Sequence, residues 1–166
     1  LEEFAPAYRS AYLSALRGKL GLQTAFDDDI TLLGDLLDAM AADRADHTRT
    51  WRALSTVTTE SNGTFTDEFT NRERIVAWIG RYRERLAREN SNDVERAGRQ
   101  DAVNPKYVLR NYLAQVAIEA AKRKDFSEVA RLLAVLRCPY DEQPENESYA
   151  ARPPDWAKHI AVSCSS

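Results

Sequence analysis

The stretch Asn71-Arg72-Glu73-Arg74-Ile75-Val76-Ala77-Trp78-Ile79-Gly80-Arg81-Tyr82-Arg83-Glu84-Arg85-Leu86 decides the fold class. Ile75, Ile79, Tyr82 and Leu86 recur at helical spacing on one face, and Asn71 stands where a side-chain oxygen can accept from the first free amides. Arg72, Arg74, Arg81, Arg83, Arg85 and Arg88 fall mostly elsewhere, so the spacing predicts a long helix with a strongly basic polar side. Glu73, Glu84 and Glu89 are interleaved on it. Such a run reads chiefly as a solvated face, with binding of phosphates or an acidic partner as the sharper alternative.

Upstream, Phe4, Tyr8, Tyr12, Leu16 and Leu20 recur every fourth residue and stop at Gly21, which can take the left-handed conformation that closes a helix. Asp29 offers an acceptor just before Ile30, Leu33, Leu37 and Met40, with Leu32 and Leu36 widening the stripe, and predicts a second helix. Asp46 caps a short third one carrying Trp51 and Leu54. Residues 55–71 are rich in Thr, Ser and Asn, hold Gly63, show no period and read as a loop. Downstream, 90–103 reads as a polar linker, partly ordered, that ends in Asn104-Pro105, a helix start with proline at the first helical position. That helix is expected to run through Val108, Leu109, Tyr112, Leu113, Val116 and Ala120. A break near Lys124-Asp125 leads to a last helix with Phe126, Val129, Leu132, Leu133 and Leu136, making a helical hairpin. Pro139, Pro144, Pro153 and Pro154 then mark 138–166 as an extended tail, with Trp156, Ile160 and Val162 as anchors against the body. Neither strand-like alternation nor a solenoid repeat appears. The expectation is an all-α, irregular bundle of about five to six helices, with a helical body over 1–137, a tail over 138–166, and a single domain.

At 166 residues, 43% hydrophobic and 30% charged, the chain can bury a core without disulfides or metals. Its two cysteines are not a framework. No run approaches the ~18 apolar residues of a membrane span, and Leu1 to Arg9 lack the pattern of a secretory signal, so neither a membrane protein nor a secretory precursor is expected. With 23 basic against 26 acidic residues the net charge is -3, which disfavours nucleic acid as a partner. The chain opens with Leu1 and carries its single methionine at position 40, and it reads as a piece of a longer protein.

Motifs for chemistry are sparse. Glycines 18, 21, 34, 63, 80 and 98 never form a phosphate-cradling pattern. Asp125-Phe126-Ser127 has the form of a kinase metal-binding triplet but no catalytic loop precedes it, and it reads as a helix cap. His47, His159, Cys138 and Cys164 lack the paired spacings of zinc modules. Asp27-Asp28-Asp29 fits a helix start better than a cation site. No nucleophile–histidine set can be assigned. The sequons at Asn62 and Asn146 read as chance matches. Cys138, beside Pro139 after an apolar helix, reads as a small buried residue. Cys164, in Ser163-Cys164-Ser165-Ser166, is the one thiol with expected accessibility and is the redox candidate, against an inert exposed cysteine.

Asn104-Pro105-Lys106-Tyr107-Val108-Leu109-Arg110-Asn111, Pro153-Pro154-Asp155-Trp156 and Val162-Ser163-Cys164-Ser165-Ser166 together resemble the C-terminal part of the selenoprotein O family. Asp46-His47-Thr48, Trp51-Arg52-Ala53-Leu54 and Lys19-Leu20-Gly21-Leu22 are similar to further segments of it, in the same order. The resemblance implies a kinase-like protein that transfers AMP from ATP to protein hydroxyls, with magnesium or manganese as cofactor. It places the catalytic, nucleotide-binding and metal-binding residues before Leu1, and none in this chain. It also implies that Cys164 stands where some members carry selenocysteine, and that a bond to a cysteine of the catalytic region works as a redox switch, with Cys138 a lesser partner. The implied partners are protein substrates and the protein's own N-terminal catalytic region, with neither nucleic acid nor membrane; the compartment would be bacterial cytoplasm or a mitochondrion. On this reading the chain is a bracing helical region, inactive alone. The rival is a protein-interaction module that docks substrate proteins through the arginine face or the 55–71 loop.

Overall fold

The computed structural model describes residues 4–157, 159 and 160. It is all-α, as expected. Eight α-helices occur among the described residues: α1 (Phe4–Leu20), α2 (Asp29–Asp43), α3 (His47–Ala53), α4 (Arg72–Ala87), α5 (Asp93–Asp101), α6 (Asn111–Lys122), α7 (Ser127–Arg137) and α8 (Glu147–Ala150). Four short 3₁₀ turns also occur among the described residues, three between these helices and one after α8. The chain forms two compact units that divide after Asn104.

In the first unit α1, α2, α3 and α4 enclose one core in which Leu20, Leu36, Leu54, Ile75, Ile79 and Tyr82 are fully buried. Phe65 and Phe69, from the 55–71 loop, enter it as a plug. Phe65 lies 5.7 Å from the Trp78 ring, which stacks on Tyr82 at 5.1 Å. Trp78 keeps its polar edge satisfied by donating Nε1–H to the Leu32 carbonyl at 2.8 Å. Asp46 and Asn71 cap α3 and α4 as read from sequence, accepting from the amides of Arg49 and Arg74.

Other expectations are corrected. Asp29 does not cap α2: it lies inside the helix, buried, and binds arginines. The 90–103 linker contains α5, capped by Asn92, which accepts from Val94 and Glu95. Asn104-Pro105 starts no helix. Residues 105–110 are irregular, with the Lys106 and Tyr107 amides both donating to the Pro139 carbonyl, and α6 begins at Asn111.

In the second unit α6 and α7 pair through Leu113, Ala117 and Leu132, while Tyr107 packs with Val135 and Ala150. The segment after Arg137 is not simply extended, since it folds into two 3₁₀ turns and α8. Trp156 is 60% exposed and meets Tyr112 edge-on at 6.0 Å. Val162 and Cys164 lie outside the described residues.

Candidate functional site

Three of the segments that carried the family likeness meet at the C-terminal end of α1. Gly21, at φ +75°, closes that helix: its amide reaches the Gly18 carbonyl and the Leu22 amide reaches Arg17. The carbonyls still free there face donors from two other helices and from Asn104. Tyr82 Oη donates to Leu20 at 2.6 Å, Asn104 Nδ2 to Lys19 at 3.0 Å and Arg99 to Gly21 at 3.3 Å. Gln100 joins them, bonding both the Lys19 carbonyl and the Tyr82 hydroxyl. Donors concentrated on a helix C-terminus oppose its partial negative charge. Burial pushes the Tyr82 hydroxyl far above its ordinary range, so it acts as a fixed neutral donor.

The Lys19 side chain turns back over this end. Its ammonium donates to Asn104 Oδ1 at 3.2 Å and lies 5.6 Å from the Trp51 ring. An amide and a ring meet the charge here rather than a carboxylate, and burial lowers the Lys19 pKa. Trp51 donates Nε1–H to His47 Nε2 at 3.1 Å, so His47 accepts at that nitrogen and is neutral. Burial and then the Lys19 charge lower the His47 pKa, with Asp46 opposing. Arg52 ties the same corner, donating to the carbonyls of Asp101 and Asn104.

A second cluster is built on Asp29, which sequence reading had assigned to a cap. Arg85 and Arg17 both bind its carboxylate, and Arg85 also bridges to Glu89 at 3.1 Å and to the Thr24 carbonyl at 2.8 Å. Glu89 in turn accepts from the amides of Gln23 and Thr24 and from the Thr24 hydroxyl. Arg85 and Arg88 lie 4.3 and 4.0 Å from the Phe26 ring centroid. Burial pushes the Asp29 and Glu89 carboxyls up, but these hydrogen bonds outweigh it and hold both below the ordinary range. An open cavity of about 240 Å³ lies beside the cluster, rimmed by Asp28, Thr31, Arg81, Glu84 and Arg88.

The basic side of α4 is largely spent on internal partners. Arg72 pairs with Asp67, Arg81 with Asp35 and Arg88 with Asp28, while Arg83 donates to the Thr58 carbonyl and to Asn62. Arg85 is buried. In the second unit Lys106 binds Glu142 and Glu147, and Tyr107 donates to the Gln143 carbonyl at 3.0 Å.

Of the earlier candidates, Cys164 lies outside the described residues. Cys138 is free and exposed at the end of α7, not buried. Asp125, one residue before the cap position of α7, accepts from the Ser127 amide. Among the described residues no group of three or more His, Cys, Asp or Glu side chains is placed to hold a metal ion, and no helix is long and apolar enough to cross a membrane.

The model of the family described as "Protein adenylyltransferase SelO" matches residues 1–137. The "Protein nucleotidyltransferase YdiU" of Burkholderia multivorans is 51% identical over 168 residues, 99% of this chain and 31% of that protein. Its namesake in Burkholderia ambifaria is 48% identical over the whole chain and 32% of its own length, and that of Herminiimonas arsenicoxydans 49% identical over the whole chain and 34% of its own. The chain thus spans about a third of the length of the curated relatives it matches. Whole-chain identity near one half, together with a family match over both helical units up to the end of α7, means that this chain belongs to the SelO protein adenylyltransferase family.

Proposed function

We propose that this chain is the helical C-terminal region of a protein adenylyltransferase that moves AMP from ATP to serine, threonine or tyrosine hydroxyls of other proteins. The observation that carries the reading is its full-length likeness to proteins named nucleotidyltransferases that are about three times as long. In such a transfer a divalent metal and positive charge stabilise the phosphorus under attack by the hydroxyl. The described residues offer no carboxylate cluster fitted to that metal, and no step of the transfer is routed through them. This region's part is to brace the catalytic region, in bacterial cytoplasm or in a mitochondrion.

The proposal extends to Cys164. A disulfide from its sulfur to a cysteine of the catalytic region, formed as a disulfide oxidant takes two electrons and two protons from the two thiols, would hold the active-site segment. In the longer protein Cys164→Ser should abolish any dithiothreitol dependence of adenylylation, and an unchanged dependence rejects the switch.

Label transfer from α-labelled ATP with magnesium or manganese, run on this chain and on the longer gene product, tests the main reading. Label with the long form only is expected. Label from this chain alone would place a catalyst within it, and silence from both would favour the protein-interaction module. That second reading draws little from the arginine face, where Arg81, Arg83 and Arg85 are already bound within the unit.

A further inference from the structure

The apolar stripe of α1 continues beyond the core that it helps to build. Leu16 and Leu20 are buried, but Tyr12 is 46% exposed and Tyr8 is 60% exposed, their rings stacked at 6.0 Å. α2 runs beside it with Ile30 42% exposed. Between the two helices is a groove of about 300 Å³, walled by Tyr12 and Leu13 on one side and Ile30, Leu33 and Leu37 on the other. Gly34 also lines it, and a Cβ added there would meet nothing within 4 Å, so the groove is open at that point to close approach by another backbone. Among the described residues that line it, Arg9 alone is charged.

We infer that this groove seats an amphipathic helix from the part of the longer family protein that lies outside this chain. Its apolar face meets Tyr12, Ile30 and Leu37, and a carboxylate meets Arg9. The inference rests on the reading of the chain as one region of a longer transferase. Three observations select this occupant. The groove is a direct extension of the unit's core stripe, as a seat for a further helix of the same protein would be. The relatives carry roughly twice as much further chain as the part matched here, which supplies such a helix. A second copy docking by two-fold symmetry would bring one groove against another, each lined by Arg9 as its one charge, so that neither lining gives the other a carboxylate.

The test places the photo-reactive analogue benzoylphenylalanine at Tyr12 in the longer protein and maps the cross-linked peptides by mass spectrometry. A control carries the analogue at Val94, which is 81% exposed. Cross-links from Tyr12 to peptides outside the present 166 residues are expected, well above the control. Cross-links to a second copy or to residues 105–160, or none above the control, overturn the inference. Ile30→Glu gives an independent reading: it should lower the unfolding midpoint of the longer protein by several degrees and leave that of the 166-residue chain unchanged. An equal fall in both overturns it. AMP transfer is measured on the same samples. Intact transfer without the cross-link rejects the groove alone, and the cross-link without transfer rejects the functional reading alone.

Discussion

Lys19 and Asn104, 85 residues apart, exchange two hydrogen bonds: the ammonium donates to the Asn104 side-chain oxygen, and the Asn104 amide donates to the Lys19 carbonyl. Asn104 is fully buried, so its removal leaves the Lys19 carbonyl only the longer bond from Gln100 and takes away the acceptor that holds the ammonium. Asn104→Ala is expected to cost about 1–3 kcal/mol. Urea unfolding followed by the emission of Trp51 and Trp78, both buried in the first unit, reads the loss. An unchanged midpoint would mean that water replaces both bonds.

Stability should fall in acid through Asp29 and Glu89. Both carboxyls are held below their ordinary range, so each takes up a proton less readily in the folded chain than in the unfolded one. Their stabilisation is complete above the unfolded carboxyl range, about pH 4, and is lost as the pH drops through the lower folded values. Asp29→Asn leaves Arg85 buried without its main counter-charge and should cost about 3–5 kcal/mol at pH 7. It should also flatten the acid limb of the urea midpoint plotted against pH. A variant with the same acid limb as the parent would assign that limb to other carboxyls.

Two glycines should respond in opposite directions. Gly63 has φ +53°, and a Cβ there would collide with the Thr56 hydroxyl and carbonyl oxygens. Gly63→Ala is therefore expected to destabilise by about 1–3 kcal/mol, through strain and through displacement of the loop that carries Phe65. Gly80 sits inside α4, where an added Cβ meets nothing within 4 Å. Gly80→Ala should stabilise by about 0.5–1 kcal/mol. Thermal midpoints of the two variants check both signs together.

What was legible in the sequence followed from side-chain periodicity and strong caps. Ile75, Ile79, Tyr82 and Leu86 announced α4, and Asp46 and Asn71 announced the starts they make. α5 was missed because its buried face is Arg96 and Gln100, polar side chains four residues apart that leave no apolar period. Asn104 was misread because Asn-Pro is a helix-start signal, and only the tertiary fold shows that its amide serves the end of another helix. Asp29 was misread for a similar reason: a carboxylate at a helix start fits a cap until Arg85 arrives from 56 residues away. The site at the end of α1 left one trace in the sequence, that Lys19, Asp46 to Leu54 and Asn104 all belonged to segments carrying the family likeness.

Helix ends supply the last prediction. Arg44, Asn90 and Lys124 have positive φ, as Gly21 does, and each closes its helix with the same pair of backbone bonds. At Lys124 these run from its amide to the Ala121 carbonyl and from the Asp125 amide to the Ala120 carbonyl. Gly21 is the one of the four read as a stop: Arg44 and Lys124 give no sign of left-handed backbone, and Asn90, a residue type that does adopt it, is passed over. A Cβ in that conformation costs about 1 kcal/mol, which glycine avoids. Lys124 is exposed, so its side chain gives up little packing. Lys124→Gly should therefore stabilise the hairpin of α6 and α7, slowing hydrogen exchange of the amides of α6 while those of α1 and α4 keep their rates. Faster exchange in α6 would mean that the greater freedom of glycine in the unfolded chain outweighs the relieved strain.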